Sequence, residues 1–263
     1  MEQVQTIDSN QEQKFKKLRV FNLVMGFLHT GQGILMLVLS SKFALPVTTA
    51  FIQYDPAKNK LAPVLNTIYN LRIGPLIACF LFISALAHFI ISIPAFKWYV
   101  KNLGQHINKA RWVEYAFSSS IMMVIIAMLV GIYDIVSLIS IFGLNAMMIL
   151  FGWIMELHNQ STQKTNWLSF FFGCIGGALP WIGVAIYLFG AGGATGKPPT
   201  FVYWIFFSIF LFFNVFAINM VLQYKKVGRW RDYLYGERVY IILSLVAKSL
   251  LAWQVFFGTL RPV

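Results

Sequence analysis

Charge is what this sequence lacks. Only 11% of its 263 residues are charged, and Asp and Glu together number nine. Soluble domains carry about 25% charged residues, so the composition argues against one. Cysteine is nearly absent. Cys79 and Cys174 are too few for a disulfide framework, and both sit inside apolar runs, where they read as small core residues that do not pair. No charge run, Gly/Ser-rich linker or internal repeat divides the chain, so no split into several folded domains is expected. Short alternating segments of about ten residues, the mark of a transmembrane barrel, are missing too.

What is present is apolar. Hydrophobic residues make up 58% of the chain, with 25 Phe and ten Met. They come in runs of about 20, the length that crosses a bilayer as helix. The first run is too long for a signal peptide and reads as a retained helix. Seven spans are predicted, over 17–40, 68–96, 108–132, 135–158, 166–190, 199–224 and 232–260. The fold class is therefore all-α: a seven-helix membrane domain over 17–263 behind a polar tail, 1–16. The connection from about 42 to 67, "FALPVTTAFIQYD" then "KNKLAPVLN", reads as two extended segments around a polar turn, a short β-hairpin on the membrane surface.

The net charge of +12 raises the question of a nucleic-acid partner, but the basic residues cluster at the ends of apolar runs, where they set topology instead. Fourteen Lys and Arg fall on the N-terminal side of the spans. The other side holds six: Lys42, Lys58, Lys60, Arg72, Lys197 and Arg261. The positive-inside rule then expects a multi-pass protein of the cell membrane with a cytoplasmic N-terminus, an extracellular C-terminus and an extracellular hairpin.

Few ionisable groups remain at depth. Lys248 lies near the centre of the seventh span in "SLVAKSLLAW", and Glu114 in the first turns of the third, in "RWVEYAFSSS". His29 is halfway along the first span and His88 in the inner half of the second. Asp134 falls in a short outer link and Glu156 near the inner end of the fourth span. Arg111 and Trp112 read as interfacial anchors, and Glu237 with Arg238 as a pair at the inner start of the seventh span.

A lysine in hydrocarbon is costly unless paired, neutralised or modified, so its presence points to function. Three readings compete: a structural ion pair with Glu114, an ion- or proton-coupled transport site, and a Schiff base on a desolvated amine with a carboxylate counter-ion. Helical side chains lean toward the N-terminus, which aims Lys248 at the half of the membrane holding Glu114. Ser244 lies one turn before Lys248, and Ser118 one turn after Glu114. Met147, Met148 and Gly152 in the fourth span, "SFFFGCIGGALPWIG" in the fifth, "FLFFNVF" in the sixth and Trp253 in the seventh offer soft or aromatic walls for a large apolar ligand. Taken singly, aromatics at helical spacing are ordinarily packing, and a proline such as Pro180 ordinarily marks a kink.

The stretches "RWVEYAFSSSIM", "GLNAMMILFGW", "ALPWIG", "FLFFNVFA", "GERVYIILSLVAKSLLAWQ" and "FGTL", in order, resemble heliorhodopsins, microbial retinal proteins of inverted orientation. The resemblance runs from about residue 16 to the C-terminus. It implies a light sensor rather than an enzyme, with all-trans retinal on Lys248 as a protonated Schiff base and Glu114 as counter-ion. It also implies a slow photocycle without net ion transport, and homodimers to which the hairpin contributes. His29, His88 and Ser118 then belong to a polar network beside the Schiff base, where the histidines either cap buried water or take the proton. With helical facing, the matched segments place Tyr115, Ser119, Asn145, Met148, Gly152, Phe172, Pro180, Phe213, Ser244 and Trp253 around the chromophore. Asn145 reports on ring polarity or bonds a neighbouring carbonyl. The inner link "QYKKVGRWRDYLYGER" is a candidate surface for a cytoplasmic signalling partner or anionic membrane lipid.

The alternative is a light-driven transporter or channel. Against it, the outer half of the third span, "MMVIIAMLVG", has no carboxylate to continue a proton path. Illuminated cells in unbuffered medium are expected to show no uncoupler-sensitive pH change; such a change would establish transport.

Overall fold

The computed structural model describes residues 9–57, 59–190 and 197–261. The first eight residues of the tail, and Lys58 among the outer charges, lie outside them. Helix α1 (Ser9–Leu39) is followed by strands β1 (Ala44–Asp55) and β2 (Lys60–Arg72), then α2 (Ile73–Ser92) and a short α3 (Phe96–Gly104). Next come α4 (Lys109–Leu129), α5 (Ile135–His158), α6 (Leu168–Gly190) and α7 (Thr200–Tyr224). A 3-10 turn (Gly228–Arg231) leads into α8 (Tyr233–Val255), which ends in a π turn over Phe256–Leu260. Seven of these helices, all but α3, are long and apolar enough to cross a membrane.

The helix boundaries follow local chemistry. Asn108, Asp134 and Asp232 are N-caps: their side chains accept from the backbone N–H of Arg111, Ser137 and Leu234. Asp134, expected at the interface, is thus occupied in starting α5. Helix α2 stops at Ser92 rather than 96, because Ile93 precedes Pro94 and a residue before proline avoids helical geometry. The following "FKWYVKNLG" forms α3, one short helix that the seven-span reading leaves unassigned. Helix α1 starts at Ser9, ahead of 17. Its first turns hold the helix formers Gln, Glu and Lys, with Lys16 Nζ 2.8 Å from Glu12 Oε1 one turn away.

The hairpin is longer than read from sequence. Strand β2 runs on to Arg72, so residues 68–72 are strand and not the start of the second span. Their pairing with β1, Val47 opposite Tyr69 and Ala44 opposite Arg72, extends the ladder down to the helix ends, with a bulge between Val47 and Thr48. Thr48 N donates to Tyr133 O at 2.9 Å, fastening the hairpin base to the α4–α5 link.

Helix α4 is the central post: 61% of its span is buried, against 22% for α5 and α7. Its hairpin-side half carries Met122, Met123, Ile125, Ile126 and Met128, each at most 2% exposed, packed with Ile77 and Leu81 of α2 and Leu251 and Val255 of α8. The other half carries Arg111, Glu114, Ser118 and Ser120, also buried. Both cysteines are free and exposed, not core residues as their apolar neighbours suggested; Cys79 is on α2, and Cys174 of α6 borders the cavity described below.

Helices α1 and α2 meet through notches. A Cβ at Gly26 would lie 2.9 Å from the Phe89 ring, and one at Gly33 2.6 Å from the Phe82 ring. The glycines are two turns apart on one helix and the phenylalanines two turns apart on the other, so each ring seats where a side chain is missing. Gly33→Leu is expected to destabilise the protein by about 1–3 kcal/mol, read as a lower unfolding temperature in detergent; an unchanged temperature would mean the notch is not filled.

Candidate functional site

Three buried helices converge on one charge pair. Lys248 Nζ of α8 donates to Glu114 Oε1 of α4 at 2.8 Å, and Ser84 Oγ of α2 donates to the same oxygen at 2.6 Å. Lys248 Nζ also donates to Ser244 Oγ, one turn back on α8, at 2.7 Å. The lysine side chain is 4% exposed and the glutamate 9%. Burial of an ion pair costs several kcal/mol in desolvation and is tolerated when the geometry is good and further hydrogen bonds are present. Here both hold. The Tyr115 ring centre lies 5.0 Å from Nζ, adding the negative face of a phenol.

Beside Nζ opens a cavity between α4, α5, α6, α7 and α8, lined mostly by apolar and aromatic side chains, as pockets for organic ligands commonly are. Its polar groups, Ser118, Ser119 and Ser244 with Lys248, come from α4 and α8; Met148 and Ile149 of α5, Phe170 and Gly173 of α6, and Phe213, Phe216 and Met220 of α7 make the rest apolar or aromatic. A long apolar molecule with one reactive polar end suits this wall.

Of the residues expected around a chromophore, Tyr115, Ser118, Ser119, Met148, Gly152, Phe213, Ser244 and Lys248 line this cavity. Gly152 also makes room for its neighbour, for a Cβ there would lie 2.5 Å from the ring of Trp112, which lines the cavity beside it. Asn145 is buried behind the wall. Its Nδ2 donates to Ser119 Oγ at 2.8 Å and Ser120 Oγ at 3.0 Å, tying α5 to α4 through hydroxyls and not through a carbonyl. Phe172, Pro180 and Trp253 are not in the wall. Phe172 is 48% exposed on the outer face of α6, and Trp253 packs on Phe256, ring centres 5.5 Å apart. Pro180 is buried within α6, further along the helix.

The wall residues, expected and missed together, repeat at helical spacing: 112, 115, 118, 119 and 122 on α4; 213, 216, 217 and 220 on α7; 240, 244, 247 and 248 on α8. Stepping in threes and fours from Tyr115, Phe213 and Ser244 would have found Trp112, Phe216, Met220 and Tyr240. The same step rejects Trp253, which lies about 140° around α8 from Lys248.

On the side of Glu114 away from the hairpin lies a smaller polar cavity, with Ser84, His88, Asn108, Arg111, Glu114, Glu237 and Ser244 in its wall. His88 Nδ1 is 2.8 Å from Asn22 Oδ1. His29 is fully buried and stacks on His88 with ring centres 5.6 Å apart.

Beyond that cavity the structure corrects the sequence reading. Arg111, Trp112 and Glu237 are not interfacial. Arg111 is paired through Nη2 with Glu156 Oε1, and its Nη1 is 3.4 Å from Glu237 Oε1, with all three side chains at most 5% exposed. Trp112 Nε1 donates to Glu156 Oε2 at 2.6 Å, and Asn108 Nδ2 to Glu237 Oε2 at 2.6 Å. The guanidinium is sandwiched by rings, 3.8 Å from the Tyr240 centre and 4.4 Å from that of Trp112. The reason is register. Asn108 caps α4 so deep in the bundle that the first helical turn is already covered by α5 and α8. Glu156 also faces a third, polar pocket with His106 and Lys226, where burial and the Lys226 charge hold the His106 imidazole below its usual range.

No curated protein matches the chain. A family model does: the one described as heliorhodopsin matches residues 18–260. With a buried lysine–carboxylate pair at the end of an apolar cavity inside seven membrane-capable helices, the chain belongs to the heliorhodopsin family and is a multi-pass, retinal-binding rhodopsin of the light-sensing class.

Proposed function

We propose that this protein is a light sensor in which Lys248 carries the chromophore and Glu114 is its counter-ion. The observation that carries the reading is the 2.8 Å contact between Lys248 Nζ and Glu114 Oε1 at the polar end of the apolar cavity. When bound, all-trans retinal, joined to the lysine nitrogen as a protonated Schiff base, supplies absorption of visible light and isomerisation. The chain's own residues do the rest. Ser84 and Glu114 keep negative potential at the nitrogen, so a proton there is retained in the dark. Ser244 orients Nζ from one turn below. Tyr115, its hydroxyl spent on Tyr240 O at 2.9 Å, holds its ring in the wall, and Trp112, Phe213 and Met220 exclude water. His88 shares the small cavity with Glu114, and His29 stacks on His88, which suits the two as partners in proton relocation.

Absence of net transport is supported by one-sided polarity. From Glu114 toward the hairpin, α4 presents Met122, Met123, Ile125 and Ile126, closed by packing. A proton wire needs polar groups or water, and α4 beyond Ser120 offers no polar side chain to one. The distribution of Lys and Arg supports a cytoplasmic N-terminus and an extracellular hairpin. Exposed Phe51, Ile52, Leu61 and Leu65 on that hairpin suit a second copy of the chain, which supports a homodimer. The exposed Arg229 and Arg231 of the 3-10 turn suit an acidic cytoplasmic partner that receives the signal.

Purified with retinal, the protein is expected to show a visible absorption band that hydroxylamine bleaches and that is absent from Lys248→Ala. A colourless wild type, or a coloured Lys248→Ala, would end this reading. Glu114→Gln is expected to move the band to the red, since a carboxylate stabilises the ground-state cation more than the excited state. An unmoved band would remove Glu114 as counter-ion.

A further inference from the structure

Two helix ends break the ordinary rule for their position, and they meet in one place. A helix commonly stops at a residue in the left-handed conformation, which is ordinarily glycine or asparagine because a β-carbon is strained there. After α3 that residue is His106, at φ 57°, and after α7 it is Lys226, at φ 52°. Both ends are closed as such a stop requires: Ile107 N donates to Asn102 O at 3.1 Å, and Val227 N to Leu222 O at 3.2 Å. Glycine would make either turn at less cost. Yet both side chains line the polar pocket that holds Glu156, between the ends of α3, α5 and α7 and the start of α8. Strain kept at a pocket wall points to what the side chains do there.

What they present is donors. The Lys226 ammonium and the His106 ring have no hydrogen-bond or ion-pair partner among the described residues. Tyr233, its ring stacked on His106 with centres 4.8 Å apart, has a buried hydroxyl that also lacks a partner among them. A buried hydroxyl without a bond is costly, so such groups are ordinarily met by water or a ligand. The acceptors deeper in the wall are already served. Glu156 Oε1 is paired with Arg111, and its Oε2 accepts from Trp112 Nε1 at 2.6 Å and Asn108 N at 3.0 Å. Asn159 Oδ1 accepts from Thr162 Oγ1 at 3.0 Å and Asn166 N at 2.7 Å. The unmet capacity is for an acceptor with negative charge.

We propose that this pocket binds a small oxyanion, a phosphate or a carboxylate, on Lys226, His106 and Tyr233, and that its occupancy is passed to the chromophore through Glu156. The path is short. Glu156 is in the wall of this pocket, and the indole that donates to its Oε2 is in the wall of the apolar cavity beside Lys248. An anion seated against the pocket wall repels the Glu156 carboxylate toward Arg111 and Trp112, tightening the bond that positions the indole. The coupling rests on the retinal reading above; the site itself does not. It gives the sensor an input for a solute on the N-terminal side of the spans, separate from light.

The test is calorimetric titration of the full, retinal-loaded chain with inorganic phosphate and, separately, acetate, at ionic strength fixed with potassium chloride. The visible band and its recovery after a flash are followed in the same samples. Saturable binding of at least one of the two anions is expected, weakened about tenfold by Lys226→Gly and severalfold by Tyr233→Phe. Lys225→Gln, at an exposed lysine outside the wall, is expected to leave it unchanged. Without anion, Lys226→Gly is also expected to raise the unfolding temperature, since the strained β-carbon is gone; a lowered temperature would make Lys226 a structural residue and overturn its role. No saturable heat with either anion, or equal weakening by Lys225→Gln, would overturn the site. Binding that leaves band and recovery unmoved would overturn the coupling. A colourless wild type that still binds the anion would overturn the retinal reading alone. Should Tyr233→Phe fail to fold, Lys226→Gly still decides.

Discussion

A cation and an anion held together in a place that would reject either alone is the constraint on which this structure depends. Removing one partner of a buried pair costs about 3–5 kcal/mol, because the survivor is left uncompensated. Lys248 and Glu114 therefore fix the depth and rotation of α8 against α4, and Ser84 brings α2 to the same oxygen. The large side chains of α5, α6 and α7 stop short of Nζ and leave an apolar space whose one reactive end is the amine.

Polarity is distributed along the bundle rather than around it. Going along α4 from its cap, Asn108, Arg111, Glu114 and Ser118 give way to Met122, Met123 and Ile126. On α8, Glu237, Ser244 and Lys248 give way to Leu251, Ala252 and Val255. Each helix thus has a polar half and a dry half, and the pair sits at the boundary. The proposed sensor needs polar groups on only one side of the pair, whereas a pump would need them on both.

The same boundary explains what was legible in the sequence. Long apolar runs and an isolated lysine are strong signals, because hydrocarbon tolerates neither exposed backbone nor unpaired charge. Hence the seven spans, the hairpin and the Lys248–Glu114 site were readable, and α5 was placed at 135–158 to the residue. Tertiary depth was not. Arg111, Trp112 and Glu237 lie near span ends, where charged and aromatic residues ordinarily meet headgroups, and nothing in the string shows that α4 starts inside the bundle. Helix α3 escaped because it is only nine residues long and carries Lys97, Lys101 and Asn102, so it reads as the basic link between two spans. Phe172 and Trp253 were drawn toward the site by their chemistry, although helical phase points them elsewhere.

The central claim is covalent, so the most direct measurement is too. Borohydride reduction of the retinal-loaded protein in the light, followed by proteolysis and mass spectrometry, reads which residue carries the polyene. The account predicts a retinyl group on the peptide containing Lys248, with every other lysine unmodified. A bare Lys248, or a retinyl group on any other lysine, would contradict it.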